Sequence, residues 1–155
     1  MDAIDHRILA ALQEDSALST ADLADRVGLS PTPCWRRVRQ LETAGYIRKR
    51  VALRDRGLLG VGTTVFVSIR TKTHAADWLT KFAKVVQSMP EVIEFHRMSG
   101  DIDYLMKVVV PDIPAYDAFY KRLISAIDLS DVSSSFAMEE IKATTTLPLT
   151  YLKQA

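Results

Sequence analysis

Apolar side chains in the first third of the chain recur at the period of an α-helix. A first amphipathic helix is predicted over residues 3–14, where four aliphatic residues share one face: Ile4, Ile8, Leu9 and Leu12. A second helix is predicted to begin at Ser19, because Ser19 and Asp22 have the spacing of a capping box, which satisfies free N–H groups at a helix start. This helix runs through Val27, and the flexible backbone of Gly28 lets it end sharply.

A third helix is predicted to open with Ser30 as its N-cap and Pro31 in its first turn, where a missing N–H is harmless. Its inward face is formed by Cys34, Val38 and Leu41, which stand at i, i+4 and i+7. Its other faces carry Thr32, Pro33, Trp35, Arg36, Arg37, Arg39 and Gln40. Two short helices joined by a glycine turn, the second rich in arginine, are typical of a helix-turn-helix.

The segment that follows the third helix changes to an extended pattern. Ala44 and Gly45 close the helix, and Tyr46 and Ile47 begin a stretch that continues through Leu53. Its β-branched and aromatic residues predict a short strand or wing, followed by a connector.

The second half of the chain begins with strand periodicity, because apolar and small residues alternate from Val61 to Arg70. A helix around Trp78 to Val86 follows and ends before Pro90. The remaining predicted elements are strands over 91–98 and 104–110 joined by a tight turn at 99–103, a helix over 115–127 and a strand over 132–141. This β-α-β-β-α-β order is the ferredoxin-like arrangement.

Composition agrees with an ordinary soluble globular protein, since 48% of the 155 residues are hydrophobic and 25% are charged. No apolar run is long enough to cross a bilayer, and the N-terminus lacks a signal pattern, so we expect no membrane association and a cytoplasmic location. Cys34 is the single cysteine, and His6, His74 and His96 are far apart, so neither a disulfide framework nor a metal site is expected.

Positive charge is confined to one stretch, although the net charge is only +1. Residues 31–57 contain eight basic and two acidic residues, whereas residues 61–155 contain ten basic and eleven acidic ones. A local basic surface of this kind is the electrostatic signature of nucleic-acid binding.

Five sequence motifs, in this order along the chain, resemble the leucine-responsive and asparagine-responsive (Lrp/AsnC) regulator family: IDHRIL at 4–9, GLSPTPC at 28–34, RVRQLE at 37–42, SGDIDYL at 99–105 and MEEIK at 138–142. The resemblance implies an α+β protein with a winged helix-turn-helix at 1–60 and a ferredoxin-like (RAM-type) effector and oligomerisation domain at 61–155. It also implies homodimers built through the second domain, often four of them in an octamer.

DNA is the partner that the helix-turn-helix predicts. An arginine in the major groove can donate two hydrogen bonds to guanine, and its neighbours can contact phosphates. The outward residues Arg36, Arg39 and Gln40 are the main candidates, Arg37 is open between phosphate contact and orienting the wing, and Trp35 between the inner core and the DNA backbone. Cys34 is interpreted as a small buried hydrophobe, with redox sensing as the alternative. The full predicted DNA-binding set is Ser30, Thr32, Pro33, Trp35, Arg36, Arg37, Arg39, Gln40, Arg48, Lys49 and Arg50.

The turn at 100–103 suits an amino-acid ligand, because a carboxylate can receive the ammonium group while backbone N–H groups near Gly100 hold the ligand carboxylate. Turns of this composition are also common without any ligand. The resemblance implies an effector site between dimers, formed by this turn and the last strand, whose last-strand residues can equally be assembly contacts or core. Its matching positions are Gly100, Asp101, Asp103, Ser133, Ser135, Phe136, Ala137 and Met138.

The leading hypothesis is therefore a sequence-specific DNA-binding transcription regulator that responds to leucine or a similar amino acid, with no catalytic residues and no cofactor. Two alternatives stay open. Some proteins similar to the family are haem-pathway decarboxylases, which would not need an arginine-rich helix. An architectural DNA-compacting protein without an effector is the other alternative.

Overall fold

The computed structural model describes residues 1–72 and 76–152. The chain forms two compact units, Met1–Leu53 with Lys142–Ala155, and Arg54–Ile141. This division differs from the predicted ranges 1–60 and 61–155 at two places. Residues 54–60 belong to the second unit, and the C-terminal tail returns to the first. The tail returns because its leucines pack on the helical core, a contact that periodicity along the chain cannot indicate.

The N-terminal unit contains three helices, α1 (Ala3–Glu14), α2 (Thr20–Val27) and α3 (Pro31–Thr43). Asp2 caps α1 by accepting hydrogen bonds from the N–H groups of Ile4 and Asp5, and Asp5 accepts the N–H of Asp2 in return. This complete capping box explains why α1 begins at Ala3, and the periodicity of its apolar residues did not reveal it.

The second helix is capped less completely than its sequence predicts. Ser19 Oγ accepts the N–H of Asp22 at 3.1 Å, as a capping box requires. The Asp22 carboxylate, however, accepts a hydrogen bond from the Ser19 hydroxyl at 2.6 Å and not from the Ser19 N–H. At its other end, Gly28 adopts a φ of +74°, a left-handed conformation that glycine adopts without strain. α2 therefore ends where the glycine predicts.

The core of this unit is a single apolar cluster between the three helices. The inward face of α3 is confirmed, since Cys34, Val38 and Leu41 are all buried. They pack with Ile8, Leu9, Ala11, Leu23, Ala24 and Val27.

Of the short strand or wing predicted after α3, the strand is not formed. Residues 46–62 contain no strand, and within the described chain no backbone hydrogen bond joins residues 48–53 to any other segment. The β propensity of this stretch therefore has no neighbouring strand to act on. The last backbone bonds before it are from the N–H groups of Tyr46 and Ile47 to the carbonyl oxygen of Leu41.

The second unit has the ferredoxin-like element order that the sequence predicts. Its elements are β1 (Thr63–Arg70), α4 (Ala76–Gln87), β2 (Val92–Arg97), β3 (Tyr104–Val110), α5 (Ile113–Ala126) and β4 (Asp131–Phe136). The sheet order is β2-β3-β1-β4, and all three pairings are antiparallel. β4 ends at Phe136 instead of residue 141, because the last β1 partner is Thr64, whose carbonyl accepts the N–H of Ala137.

The two faces of the sheet differ in burial. Alternate residues of β1, including Val65, Val67 and Ile69, are fully buried against a core that includes Phe82 and Phe119 from the two helices. On the opposite face, Phe66 is 37% exposed. Among the helices that the structure describes, none is long and apolar enough to cross a membrane.

Candidate DNA-binding surface and effector turn

The outward face of α3 is available to a partner along most of its length. Arg36, Arg39 and Gln40 are exposed, as are Ser30 and Thr32 at its start, whereas Pro33 is half-buried. Ser30 occupies the N-cap position as predicted, but its hydroxyl makes no capping hydrogen bond. Pro31 and Pro33 have no N–H group, and the Cys34 N–H donates to the Ser30 carbonyl at 3.2 Å. The start of α3 therefore offers exposed hydroxyls, and not a set of free backbone N–H groups, to a phosphate.

Arg37 points toward the start of α1 and not toward solvent. Its Nη1 lies 2.8 Å from an oxygen of Asp2 and 2.8 Å from an oxygen of Asp5, the two residues of the α1 capping box. The hydrogen bond to Asp5, followed by that to Asp2, raises the pKa of the Arg37 guanidinium. The pKa of Asp2 is lowered, mainly by the backbone N–H of Asp5 and also by Arg37. The structure therefore uses Arg37 to join α3 to the start of α1.

Trp35 lies on the surface. This excludes the inner core and leaves contact with the DNA backbone as the alternative for this residue. Its side chain is 53% exposed, and the Arg39 guanidinium carbon lies 5.7 Å from its ring centroid, within reach of a cation–π interaction. Arg39 Nη1 also lies 3.1 Å from a Glu42 oxygen. The neighbouring Cys34 is fully buried, and burial raises its pKa.

A second group of basic residues follows α3 in the same unit. Arg48, Lys49 and Arg50 are exposed in the extended stretch 46–53, and Arg50 Nη2 lies 3.6 Å from the other Glu42 oxygen. Glu42 thus pairs with one arginine from α3 and one from this basic segment, which we define as residues 48–50. The exposed part of α3 and the basic segment together form a positive surface suited to base edges and phosphates.

The turn predicted to hold the effector is shaped by its own backbone and by β1. Gly100 adopts a φ of +116°, which other residues rarely adopt. The N–H of Asp103 donates to the Ile69 carbonyl at 2.9 Å, and Asp103 Oδ2 accepts the N–H of Thr71 at 2.8 Å. The Asp103 carboxylate therefore fastens the turn to the end of β1.

Arg70 is a residue of this region that the sequence motifs did not indicate. Its Nε donates to the Asp101 carbonyl at 2.7 Å, and its Nη1 lies 3.6 Å from the Asp131 carboxylate at the start of β4. Arg70 thus links the turn to the last strand. Its place in the alternation of β1 is visible in the sequence, but its neighbours depend on the order of strands in the sheet.

The predicted effector residues do not all come together in one chain. Asp131 at the start of β4 is beside the turn, whereas Phe136, Ala137 and Met138 lie at the other end of β4. Six residues of extended chain separate Asp131 from Ala137, which corresponds to about 20 Å. Ser133 and Ser135 lie between the two ends of β4 and are exposed. Their partners on β1 are Ser68 and Phe66, respectively.

The residues at the far end of β4 have different environments. Phe136 is 38% exposed and packs edge-on against Tyr116, with 5.2 Å between the ring centroids. Met138 is 95% exposed. Phe136 therefore contributes to packing within its own unit, and Met138 makes almost no contact there.

The two histidines that the structure describes lie in different units. His6 has a buried Nε2 atom without a hydrogen-bond partner, His96 lies 3.2 Å from a Glu94 oxygen, and His74 is outside the described residues. Within residues 1–72 and 76–152, no three His, Cys, Asp or Glu side chains are grouped so that they could hold a metal ion.

Comparison with known proteins extends these observations. Residues 1–48 match the family described as winged helix-turn-helix DNA-binding, and residues 64–147 match the Lrp/AsnC ligand binding domain. The chain is 51% identical to the DNA-binding transcriptional activator DecR of Escherichia coli K12 over 96% of this chain and 99% of that protein.

Two solved structures share the whole fold. An AsnC family transcriptional regulator from Agrobacterium tumefaciens is 61% identical, with a TM-score of 0.96 over 99% of this chain and 100% of that one. A transcriptional regulator from Neisseria meningitidis, solved as a complex with L-Met, is 38% identical, with a TM-score of 0.94 over 99% of both chains. The predicted resemblance is confirmed, and the chain belongs to the Lrp/AsnC family of transcriptional regulators.

Proposed function

We propose that this protein is a sequence-specific transcription regulator whose affinity for its operator is set by an amino acid bound to the C-terminal unit. The observation that carries the DNA-binding part is the exposed face of α3, where Arg36, Arg39 and Gln40 point away from a core filled by Cys34 and Val38. A helix with a firmly packed inner face and a basic outer face is built to enter a major groove.

The residues of this surface take different roles in the proposal. Arg36, Arg39 and Gln40 contact base edges, because their side chains are long, exposed and able to make paired hydrogen bonds. Trp35 supports the Arg39 guanidinium by stacking. Ser30, Thr32 and Pro33 place the start of α3 against the DNA backbone, and Arg48, Lys49 and Arg50 contact phosphates. Arg37 acts within the protein, as the link between α3 and α1.

The effector part of the proposal is based on the turn at 100–103, which Arg70 holds through the Asp101 carbonyl. An amino acid carries an ammonium and a carboxylate group, which match the exposed Asp101 side chain and the backbone N–H groups near Gly100. Asp103 keeps the turn in place through the N–H of Thr71. The L-Met complex of the Neisseria relative supports an amino acid ligand, and leucine or a residue of similar size is our first candidate.

Assembly completes the proposed site. The turn and the residues 136–138 lie at opposite ends of β4, so a single copy does not enclose a ligand between them. We infer that copies of the chain form homodimers, and that four dimers join in an octamer that brings the turn of one copy near the last strand of another. The half-exposed sheet face around Phe66 is a surface that such contacts would cover. We place this assembly in the cytoplasm, with DNA.

A ligand can change DNA affinity only if it binds one state of the protein more tightly than the other. The test is a thermal-shift screen of the full-length protein against the twenty amino acids, since a ligand that prefers the folded assembly raises the apparent melting temperature. The amino acid that does so is then added to a DNA-binding titration on sites selected from a random duplex library. We expect one or a few amino acids to raise Tm and to shift the DNA titration.

Three results would contradict the proposal. No shift with any amino acid, together with binding that ignores DNA sequence, would favour an architectural protein. A bound tetrapyrrole detected by its absorption would favour the decarboxylase alternative. No DNA binding at all would remove the regulator assignment for this chain.

A further inference from the structure

The C-terminal tail is fastened to α1 by one side chain. Gln13 Nε2 donates to the Leu147 carbonyl at 3.2 Å, and Gln13 Oε1 accepts the Leu147 N–H at 2.7 Å. A primary amide satisfies both backbone groups of one residue in this way, which fixes the tail in position along the helix. The two residues are 134 positions apart in the chain.

The tail then inserts leucines into the helical unit. Leu149, the first residue of the short 3₁₀ helix Leu149–Tyr151, and Leu152, directly after it, pack partly buried against the core that α1, α2 and α3 share. Ile47, which directly precedes the basic segment, packs against the same core. The tail and the residue directly before the basic segment thus pack against the same core.

The tail and the stretch that carries the basic segment both line one groove. The groove has a volume of about 730 Å³ and is lined by the end of α1, by residues 46–53 and by tail residues that include Leu147 and Leu149. No backbone hydrogen bond joins residues 48–53 to other parts of the described chain. The path of the basic segment is therefore set by side-chain packing and by the ion pair of Arg50 with Glu42, and not by a strand ladder.

We propose that the C-terminal tail, held by Gln13, positions Arg48, Lys49 and Arg50 for contact with DNA phosphates. Gln13 is then a positioning residue for DNA binding, although it lies on α1 and outside the helix-turn-helix. The inference depends on the proposed role of the basic segment. Its physical basis is that a segment already ordered before binding loses less conformational entropy when its lysine and arginine side chains meet phosphates.

The experiment compares Gln13→Met with the unmodified protein in the full chain. Methionine retains the length of the side chain but removes both hydrogen bonds to Leu147. Gln87→Met is the matched control, because Gln87 is exposed at the end of α4 in the other unit. Binding to a random-sequence duplex is measured over a range of salt concentrations, since the slope of log affinity against log salt reports the number of phosphates that the protein neutralises.

We expect Gln13→Met to weaken DNA binding about fivefold, which is less than the two missing hydrogen bonds would contribute together. We also expect the salt slope to become shallower by about 0.9 for each phosphate that the variant no longer neutralises. In a background with Arg48, Lys49 and Arg50 all replaced by alanine, Gln13→Met should have no further effect. Gln87→Met should leave affinity and slope unchanged.

A merely structural role of Gln13 would give another result. In that case Tm would fall while the salt slope of the folded protein stayed the same, and this outcome would overturn the proposal, as would equal effects in the two backgrounds. The proposed reading role of α3 is tested separately by Arg36→Ala with Arg39→Ala, so the two proposals can fail independently.

Discussion

Arg37 Nη1 lies 2.8 Å from Asp5 Oδ1, and the same nitrogen lies 2.8 Å from Asp2 Oδ2, so one guanidinium joins α3 to the capping box of α1. Its side chain is 30% exposed, less than half the 65% of Arg39 in the same helix. Arg37 is thus directed toward the protein, whereas Arg39 is directed toward solvent.

The first prediction concerns this link. Arg37→Met retains much of the side-chain volume and removes the charge, so we expect Tm to fall by a few degrees and the start of α1 to exchange its amide hydrogens faster. Arg36→Met serves as the matched control, because Arg36 is exposed on the same helix, and it should leave Tm nearly unchanged. Equal Tm values for the two variants would show that the link does not contribute to stability.

The second prediction concerns acid. The pKa of Asp2 is lowered in the folded protein by the N–H of Asp5 and by Arg37, so the folded state favours the charged carboxylate. The stabilisation is present above the ordinary value of 3.8 and is lost as the pH falls through the lower folded pKa. Asp2→Asn should therefore reduce the Tm difference between pH 7 and pH 3. A difference as large as in the unmodified protein would contradict the assignment.

The helices and the order of elements along the chain could be predicted because their signals are local. The periodicity of Ile4 to Leu12 places α1, and the spacing of Cys34, Val38 and Leu41 identifies the buried face of α3. The partners of Arg37 and Arg70 could not be predicted, because each depends on which elements become neighbours in space. The hydrogen bonds between Gln13 and Leu147 are the extreme case, since nothing in the sequence near either residue indicates the other.

The extended stretch after α3 shows that a local signal can also predict an element that is not formed. Its residues, such as Val51 and Leu53, favour a strand locally, but a strand also requires a partner with free backbone groups. Within the described chain no such partner lies beside it. Propensity alone therefore predicted an element that the fold does not form.

The third prediction concerns the thiol. Cys34 is fully buried, and burial raises its pKa, which lowers the reactive thiolate fraction. In the native protein we expect a thiol reagent such as Ellman's reagent to react far more slowly than with free cysteine, and rapidly after unfolding in guanidinium chloride. A native rate close to that of free cysteine would support the redox-sensing alternative.

The fourth prediction concerns the reading helix. Arg36→Ala combined with Arg39→Ala should weaken binding to a selected site by at least about 30-fold, because each of the two paired contacts to guanine contributes about 1–3 kcal/mol of discrimination. Binding to random-sequence duplex should fall much less. Arg7→Ala, which removes an equivalent exposed charge from α1, is the control and should retain selectivity. A footprint equal to that of the unmodified protein would show that α3 does not read the site.

The last prediction separates the two carboxylates of the effector turn. Asp101 is exposed, so Asp101→Asn should raise the half-maximal concentration of the amino acid identified in the thermal-shift screen while Tm without ligand stays the same. Asp103 accepts the N–H of Thr71, so Asp103→Asn should lower Tm even without ligand, because the turn loses its attachment to the end of β1.

Both variants should bind random-sequence duplex with the salt slope of the unmodified protein, since the basic segment and α3 are unchanged. Asp117→Asn, a change of the same kind at an exposed position of α5, controls for net charge. If Asp101→Asn left the effector response intact while Asp103→Asn abolished it without lowering Tm, the roles of the two residues would be exchanged. Asp103 would then be the group that receives the ligand ammonium, and Asp101 would be an exposed residue of the turn.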